Sequence, residues 1–301
     1  MEVRMFKGII TPVITVLDAQ GKIDFTGNEI VINRLIENGM NGLLFLGSIG
    51  EFFALTMEEK KDFIRFVIKT VDKRTAVLIG TGGTVQEDVI ELTRFAEKEG
   101  ADGVTVISPY YFKHDDETIY RYFANVARST SLPIMIYNFP DRTAVNLEPE
   151  LVLRLAKEFD NIVAIKDTVD NISHTRKLIQ LIKKQCPTFS VLSGFDEYLL
   201  PNLLAGGDGV LCGLTNVIPE VFVDLMKAYT TKDFEKVAAA QAKISFLMKL
   251  YDVTQPFIAG IKGAVAVRGI SIVPIVKEPA VQLTKEQMEV IKKLLAEIDI
   301  A

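Results

Sequence analysis

The stretch Asn161-Ile162-Val163-Ala164-Ile165-Lys166-Asp167-Thr168 is a short apolar run with polar residues on both sides. A run rich in β-branched residues is typical of a strand buried on both faces of a parallel sheet. Because side chains alternate along a strand, Lys166 is predicted to share a face with Ile162 and Ala164. An ammonium in apolar surroundings costs free energy unless it is paired or neutralised. Lys166 is therefore either an amine nucleophile for a carbonyl substrate or a lysine that reaches solvent at the strand end.

Apolar runs of this kind recur along the chain, with a helical pattern between one and the next. They begin at residues 8, 42, 76, 103, 133, 162, 190 and 209. Each step but the last has room for a strand, a helix and two loops, and the last has room for a short helix over 198–205. Strict alternation implies a mainly parallel sheet with right-handed crossovers. Eight such units favour an α/β fold of the closed (β/α)₈ TIM-barrel type over an open doubly wound sheet.

The pattern changes after the eighth run, where helices follow one another without strands. The helices are predicted over residues 233–250, 256–267 and 284–298. We therefore predict a barrel over residues 1–225 and a helical C-terminal extension over 226–301, packed on the barrel. Capping boxes, in which a hydroxyl and a carboxylate or amide satisfy the first helical turn, are predicted at Thr56–Glu59, Thr84–Glu87 and Thr284–Gln287.

The bulk properties of the 301-residue chain exclude several classes of function. A net charge of −5 provides neither a basic surface for nucleic acid nor a polybasic segment for a membrane. An apolar run of about 18 residues, as a membrane span needs, and a signal-peptide pattern are both missing, so a cytoplasmic protein is expected. Cys186 and Cys212 lack metal-type spacing and only two histidines are present, which predicts neither a disulfide framework nor a metal site.

Three stretches are predicted to meet at the carboxyl ends of the strands, where barrels of this type place reacting groups. Gly47-Ser48-Ile49-Gly50-Glu51 can form a tight loop whose backbone N–H groups approach an anion, or a plain turn. Tyr137 ends the fifth strand and is either a proton shuttle or a core tyrosine. Lys166 ends the sixth, 29 residues later, so the two side chains should be neighbours on adjacent strands.

The pairing of Lys166 with Tyr137 predicts a specific chemistry. An unperturbed lysine has a pKa of about 10.4, and apolar surroundings disfavour the ammonium and increase the fraction of free amine. That amine can form a Schiff base with a 2-keto acid, which acts as an electron sink for breaking or forming the neighbouring carbon–carbon bond. Tyr137 would move the proton. The covalent Schiff base on Lys166 requires no cofactor, and the expected partners are a small-molecule 2-keto acid and an aldehyde.

Five motifs resemble those of the dihydrodipicolinate synthase / N-acetylneuraminate lyase family of class I aldolases. In order they are Gly47-Ser48-x-Gly50-Glu51, Pro109-Tyr110-Tyr111, Tyr137-Asn138-x-Pro140, Ile165-Lys166-Asp167 and Gly206-Gly207-x-Gly209-Val210. The resemblance extends from about Phe6 to the C-terminus. It implies a (β/α)₈ barrel with a helical tail, a homotetramer built as a dimer of dimers, and pyruvate as the common substrate or product.

The resemblance also implies roles for individual residues. Lys166 would be the Schiff-base lysine, Tyr137 the proton donor and acceptor, and Ser48 the hydroxyl of a proton relay. Tyr111 would be the relay tyrosine, which in the family often reaches in from a neighbouring subunit.

Two further roles concern the pyruvate moiety. The amides of Ser48 and Ile49 would hold its carboxylate, and Leu211 would contact it. The chain departs from the synthase pattern at Ile49, where many members carry threonine, so position 49 keeps the backbone amide but lacks a side-chain hydroxyl for the carboxylate.

The choice of substrate remains open between two branches of the family. Motifs around Glu51, Tyr110, Asn138 and Asp167 are most similar to the branch that acts on 2-keto-3-deoxy sugar acids. Arg142, by contrast, stands where 4-hydroxy-tetrahydrodipicolinate synthases keep an arginine for the carboxylate of aspartate semialdehyde, which a guanidinium suits through its bidentate fork. A surface arginine is the alternative for this residue.

The sequence also allows other interpretations of its function and of several residues. A non-catalytic keto-acid binding protein and a metal-dependent class II aldolase are alternative functions from other classes. Gly206–Gly209 precedes the eighth strand and is predicted to be a turn rather than a phosphate site. His114 is predicted to be an exposed loop histidine and His174 a structural one. For the Tyr110-Tyr111 pair, the family resemblance favours a position at a subunit interface.

Overall fold

A computed structural model describes residues 6–299, and within them the strands follow one another as a closed parallel barrel in the order β1-β2-β3-β4-β5-β6-β7-β8. This order confirms the predicted (β/α)₈ fold. The strands are β1 (Gly8–Pro12), β2 (Gly42–Phe45), β3 (Ala76–Gly80), β4 (Gly103–Ile107), β5 (Ile134–Asn138), β6 (Ile162–Asp167), β7 (Ser190–Ser193) and β8 (Gly209–Leu211). They lie close to the apolar runs read from the sequence.

Helices fill the connections between strands and form the C-terminal part of the chain. The α-helices are α1 (Phe25–Glu37), α2 (Met57–Val71), α3 (Gln86–Glu99), α4 (Asp116–Arg128), α5 (Pro140–Thr143), α6 (Pro149–Glu158), α7 (Ile172–Ile182), α8 (Leu199–Leu204), α9 (Pro219–Thr231), α10 (Phe234–Leu247), α11 (Ile258–Val267) and α12 (Lys285–Ala296). Short 3₁₀ helices cover Phe52–Ala54, Asp196–Tyr198, Gly213–Asn216 and Met248–Asp252. Between residues 6 and 299, none of the helices has the length and apolar character that a bilayer crossing requires.

One compact unit contains residues 6–10 and 76–211, and therefore the strands from β3 to β8 with the start of β1. Its strands are almost completely buried, as expected for a parallel sheet covered by helices. β1 and β8 approach each other closely at Gly8 and Gly209, which are register partners. A Cβ on Gly209 would lie 2.0 Å from the Gly8 carbonyl oxygen, so only glycine fits there.

The second compact unit contains residues 11–75 and 212–299. It includes β2, α1 and α2, together with the helices from α9 to α12. Phe45 of β2 packs edge-on against Phe63 of α2, with ring centroids 6.0 Å apart. α11 is buried along nearly its whole length and packs against α12. The predicted boundary between barrel and extension, at residues 225 and 226, stays a prediction.

One local prediction is wrong, and one helix differs in type at its end. The capping box at Thr84 does not form, because α3 begins at Gln86 and its N-cap is Val85, which has no side-chain acceptor. The helix predicted over 233–250 ends as α-helix at Leu247 and continues as a 3₁₀ turn. The other two capping boxes, at Thr56 and Thr284, form as predicted.

Candidate active site

Lys166 and Tyr137 lie side by side at the carboxyl ends of β6 and β5. They are direct register partners, and Nζ of Lys166 lies 4.2 Å from the centroid of the Tyr137 ring. Both are buried, with 6% and 5% of their surface exposed. The register contains one irregularity that the sequence did not reveal: Ile134 pairs with Ile162 but Met135 with Ala164, so β6 carries an extra residue. The predicted adjacency of the amine and the phenol is confirmed.

Among residues 6–299, no carboxylate forms an ion pair with Lys166, although Asp167 follows it directly. The Asp167 carboxylate instead forms hydrogen bonds on the face of β6 opposite to Lys166. It accepts hydrogen bonds from Asn138 Nδ2 at 2.9 Å, Thr175 Oγ1 at 2.7 Å and His174 Nδ1 at 3.1 Å. A buried amine without an ion-pair partner can act as a nucleophile toward a carbonyl, and an adjacent phenol can move a proton.

The loop after β2 contains two backbone amides that are available to an anion. A turn closes it, in which the Glu51 N–H donates to the Ser48 carbonyl at 3.1 Å. Glu51 itself adopts a left-handed backbone with φ of 57°. Within the described part of the chain, the N–H groups of Ser48 and Ile49 donate to no acceptor. Adjacent amides without an acceptor can bind a carboxylate.

A buried ion pair anchors this loop, and sequence reasoning missed it. Lys262 of α11 is 0% exposed and Glu51 is 2% exposed, and the two side chains form a salt bridge. Lys262 Nζ also donates to the Ile275 carbonyl at 2.6 Å, and the Lys277 N–H donates to Glu51 Oε2 at 2.7 Å. The sequence could have indicated a buried charge here, because Lys262 is the one charged residue in the otherwise apolar α11.

Tyr111 lies on the surface. It is 86% exposed, has a φ of 90°, and its ring meets Phe112 edge-on with centroids 5.0 Å apart. Phe112 is itself strongly exposed. Tyr110, the preceding residue, is half-buried, and burial raises its pKa. Tyr111 therefore points toward solvent, whereas Lys166 and Tyr137 are buried.

Arg142 and Leu211 have different surroundings. Arg142 lies in the short helix α5, and its guanidinium lies over the Phe139 ring, 5.3 Å from the centroid. It is exposed, and in residues 6–299 it pairs with no carboxylate, including that of the adjacent Asp141. Leu211 is fully buried at the end of β8. Phe139 also stacks on Tyr137, which connects the Arg142 segment to the predicted proton shuttle.

The loop after β7 carries carboxylates that sequence reasoning did not single out. Asp196 is buried and Glu197 is half-buried, in a 3₁₀ turn at the carboxyl end of the strand. Burial raises the pKa of Glu197, and the charges of Asp170 and Asp196 raise it further. Tyr198 Oη donates to Asp170 at 2.7 Å. Asp196 and Glu197 could have been identified from the sequence, because they follow the seventh apolar run closely. In the part of the chain that the structure describes, no three His, Cys, Asp or Glu side chains form a set that could hold a metal ion.

Comparison with known proteins identifies related sequences along almost the whole chain. The profile of the Dihydrodipicolinate synthetase family matches residues 5–298. The Escherichia coli K12 protein named "Putative 2-dehydro-3-deoxy-D-gluconate aldolase YagE" is 42% identical over 294 residues, which cover 98% of this chain and 97% of that protein. The 4-hydroxy-tetrahydrodipicolinate synthase of Methanocaldococcus jannaschii is also 42% identical, over 81% of this chain and 83% of its own length.

A solved structure is similar to this fold in detail. The crystal structure of YagE in complex with pyruvate, a prophage protein of E. coli K12, superposes with a TM-score of 0.97 at 42% identity. The match covers 98% of this chain and 99% of that one.

Proposed function

Because the chain belongs to the dihydrodipicolinate synthetase family and is a lyase of that family, we propose that Lys166 forms a Schiff base with pyruvate or another 2-keto acid. The observation that carries this proposal is the buried amine of Lys166, 4.2 Å from the Tyr137 ring and without an acid partner in residues 6–299. Membership of a lyase family argues against the alternative of a non-catalytic keto-acid binding protein.

The proposed cleavage begins at the amine. Lys166 attacks the keto carbon of the substrate and a water molecule leaves, which gives an iminium. When the hydroxyl on the fourth carbon loses its proton to Tyr137, the bond between the third and fourth carbons breaks and its electrons move into the iminium. An aldehyde leaves, the resulting enamine takes a proton at the third carbon, and hydrolysis releases pyruvate. Condensation is the same sequence in reverse, and the lysine supplies the electron sink without a cofactor.

We assign the remaining predicted site residues as follows. The amides of Ser48 and Ile49, which have no acceptor among the described residues, hold the carboxylate of the keto acid. Ser48 supplies a relay hydroxyl and Leu211 an apolar contact. Tyr111 acts in a neighbouring subunit of a homotetramer, which its 86% exposure supports. A cytoplasmic location is part of the same proposal.

For the substrate, we propose a 2-keto-3-deoxy sugar acid. The name of the E. coli relative points to this class, as do Asp196 and Glu197 at the carboxyl end of β7. Carboxylates are hydrogen-bond acceptors, so they suit the hydroxyl groups of a sugar acid. The second candidate is condensation of pyruvate with aspartate semialdehyde, as in 4-hydroxy-tetrahydrodipicolinate synthases. The exposed Arg142, which pairs with no acid of residues 6–299, favours that reaction because a guanidinium binds a carboxylate.

Trapping the intermediate tests the mechanism. The protein is treated with pyruvate and borohydride, weighed, and digested to locate the modified residue. We expect one reduced pyruvate adduct, on Lys166, and none in Lys166→Arg, which keeps the cation but removes the nucleophile. An unmodified mass, or an adduct on another lysine, would refute the proposal. Parallel assays of 2-keto-3-deoxygluconate cleavage and of semialdehyde condensation then decide between the two substrates.

A further inference from the structure

A buried polar cluster lies directly behind the proposed nucleophile. Asp167 follows Lys166 on β6, and because side chains alternate along a strand, its carboxylate lies on the opposite face. That carboxylate is fully buried, and the His174 ring is 7% exposed. His174 Nδ1 lies 3.1 Å from both carboxylate oxygens. The site chemistry proposed above uses neither residue.

The cluster also connects the two strands that carry the reacting groups. Asn138, the residue after Tyr137, is the register partner of Asp167 and donates to its Oδ1 at 2.9 Å. The Asn138 Oδ1 accepts the Leu147 N–H at 3.0 Å. Thr175 donates to the other carboxylate oxygen at 2.7 Å. The Asp167 carboxylate thus accepts hydrogen bonds from Asn138, His174 and Thr175. Several donors of this kind stabilise a buried ionised carboxylate.

The charge on His174 decides what this cluster does to Lys166. An ionised Asp167 without a cationic partner would attract the proton of the neighbouring amine and hold Lys166 as an ammonium. An imidazolium at His174 cancels that attraction. We propose, on the basis of the Schiff-base function above, that His174 is a positioning residue that balances the charge of Asp167 and so allows Lys166 to lose its proton.

The carboxylates near His174 favour its cationic form, whereas its Nε2 is buried without a hydrogen-bond partner among the described residues. Burial lowers its pKa, but the hydrogen bond to Asp167 and the charges of Asp167 and Glu148 outweigh burial and leave the pKa above its usual value. The elements that pack against α7 include α6, α8 and β7. The charged groups that act on His174 from its neighbours are Asp167, at the end of β6, and Glu148, the residue before α6. Glu148 is exposed and is therefore screened by water.

The test is the pH dependence of borohydride trapping with pyruvate in His174→Asn. The asparagine amide can donate to Asp167 as Nδ1 does, but it carries no charge. Two charges about 10 Å apart at an effective dielectric constant of about 20 shift a pKa by roughly one unit. We therefore expect the trapping rate of the variant to fall up to about tenfold near pH 6. The two rates should converge in alkaline solution, where the wild-type His174 loses its charge and residue 174 is neutral in both proteins.

Two further variants separate charge from packing. Thr175→Val removes a hydrogen bond to the same carboxylate without changing any charge, and should leave the pH midpoint of trapping in place. Asp167→Asn combined with His174→Asn removes both charges and should restore the wild-type midpoint. An unchanged profile in His174→Asn, or an equal shift in Thr175→Val, would overturn the proposal. If the wild-type protein forms no adduct on Lys166 at any pH, the failure lies in the proposed function instead.

A measurement on the unmodified protein keeps the proposal testable if a variant does not fold. The chain contains two histidines, so the imidazole signals in a proton–carbon NMR titration can be assigned with His114→Asn. We expect His174 to titrate above the usual histidine pKa of about 6.5. A midpoint at or below that value would refute the charge-balancing role.

Discussion

Replacing Lys262 by methionine should destabilise the chain strongly, because it leaves the carboxylate of Glu51 buried without its cation. Neither side chain reaches solvent, with 0% and 2% exposed. Breaking such a pair from one side costs about 3–5 kcal/mol. At about 2 °C per kcal/mol for a chain of this size, the thermal midpoint should fall by roughly 6–10 °C. Scanning calorimetry or a dye-based melting curve measures this shift.

Two comparison variants determine whether charge is the cause. In Lys262→Met with Glu51→Gln, the glutamine carbonyl can still accept the Lys277 N–H, so most of the lost stability should return. Lys292→Met makes the same substitution at an exposed pair with Glu289, where the contribution is below about 1 kcal/mol. A midpoint of Lys262→Met within about 2 °C of wild type, or a double variant as unstable as the single one, would refute the reasoning.

The same substitution should also affect binding of the keto acid. Glu51 closes the turn that presents the Ser48 and Ile49 amides, and its side chain is fixed from α11 through Lys262. Once that anchor is lost, the amides have to be ordered by the ligand. We therefore expect KM for the keto acid to rise in Lys262→Met while the borohydride adduct still forms on Lys166 at saturating pyruvate.

Three other substitutions test separate parts of the site. Tyr137→Phe should lower kcat by about 10²–10⁴-fold, the usual contribution of a general acid–base group, while the pyruvate adduct can still be trapped. Arg142→Ala should lower any condensation of aspartate semialdehyde at least about tenfold, since a hydrogen bond to a charged group contributes about 1.5–3 kcal/mol. Gly194→Ala should destabilise by about 1–3 kcal/mol in a melting curve, because the new Cβ would lie 1.8 Å from Thr168 Oγ1 and 3.0 Å from Thr168 Cα.

The barrel could be predicted from sequence because its evidence is local and repeats. Each strand is a short buried run, apolar in most positions and rich in β-branched residues in β6, and each is followed by a helical pattern. The proximity of Tyr137 and Lys166 could be predicted for a related reason. In a parallel barrel, consecutive strands are neighbours, so residues at the ends of consecutive runs lie side by side whatever the loops do.

The supporting contacts could not be predicted, because they depend on tertiary packing. Glu51 and Lys262 are 211 positions apart, and no local pattern relates them. The extra residue in β6 changes the register without a change in hydrophobic pattern. The prediction of a helix start at Thr84 was wrong for a local reason. The N-cap is the last residue before the helix with a non-helical backbone, and here that residue is Val85.

Two lysines of residues 6–299, Lys166 and Lys262, are deeply buried, and their contacts indicate different roles. Burial lowers the pKa of Lys262, but Glu51 opposes this shift, and the Glu51 and Ile275 oxygens occupy the amine. Lys166 is 6% exposed and, within residues 6–299, has the Tyr137 ring beside its amine and no carboxylate in an ion pair with it. We therefore expect a keto acid to react at Lys166 and not at Lys262, whose amine is occupied by the Glu51 and Ile275 oxygens. An adduct confined to Lys166 follows from this difference in surroundings, since the two side chains have the same intrinsic chemistry.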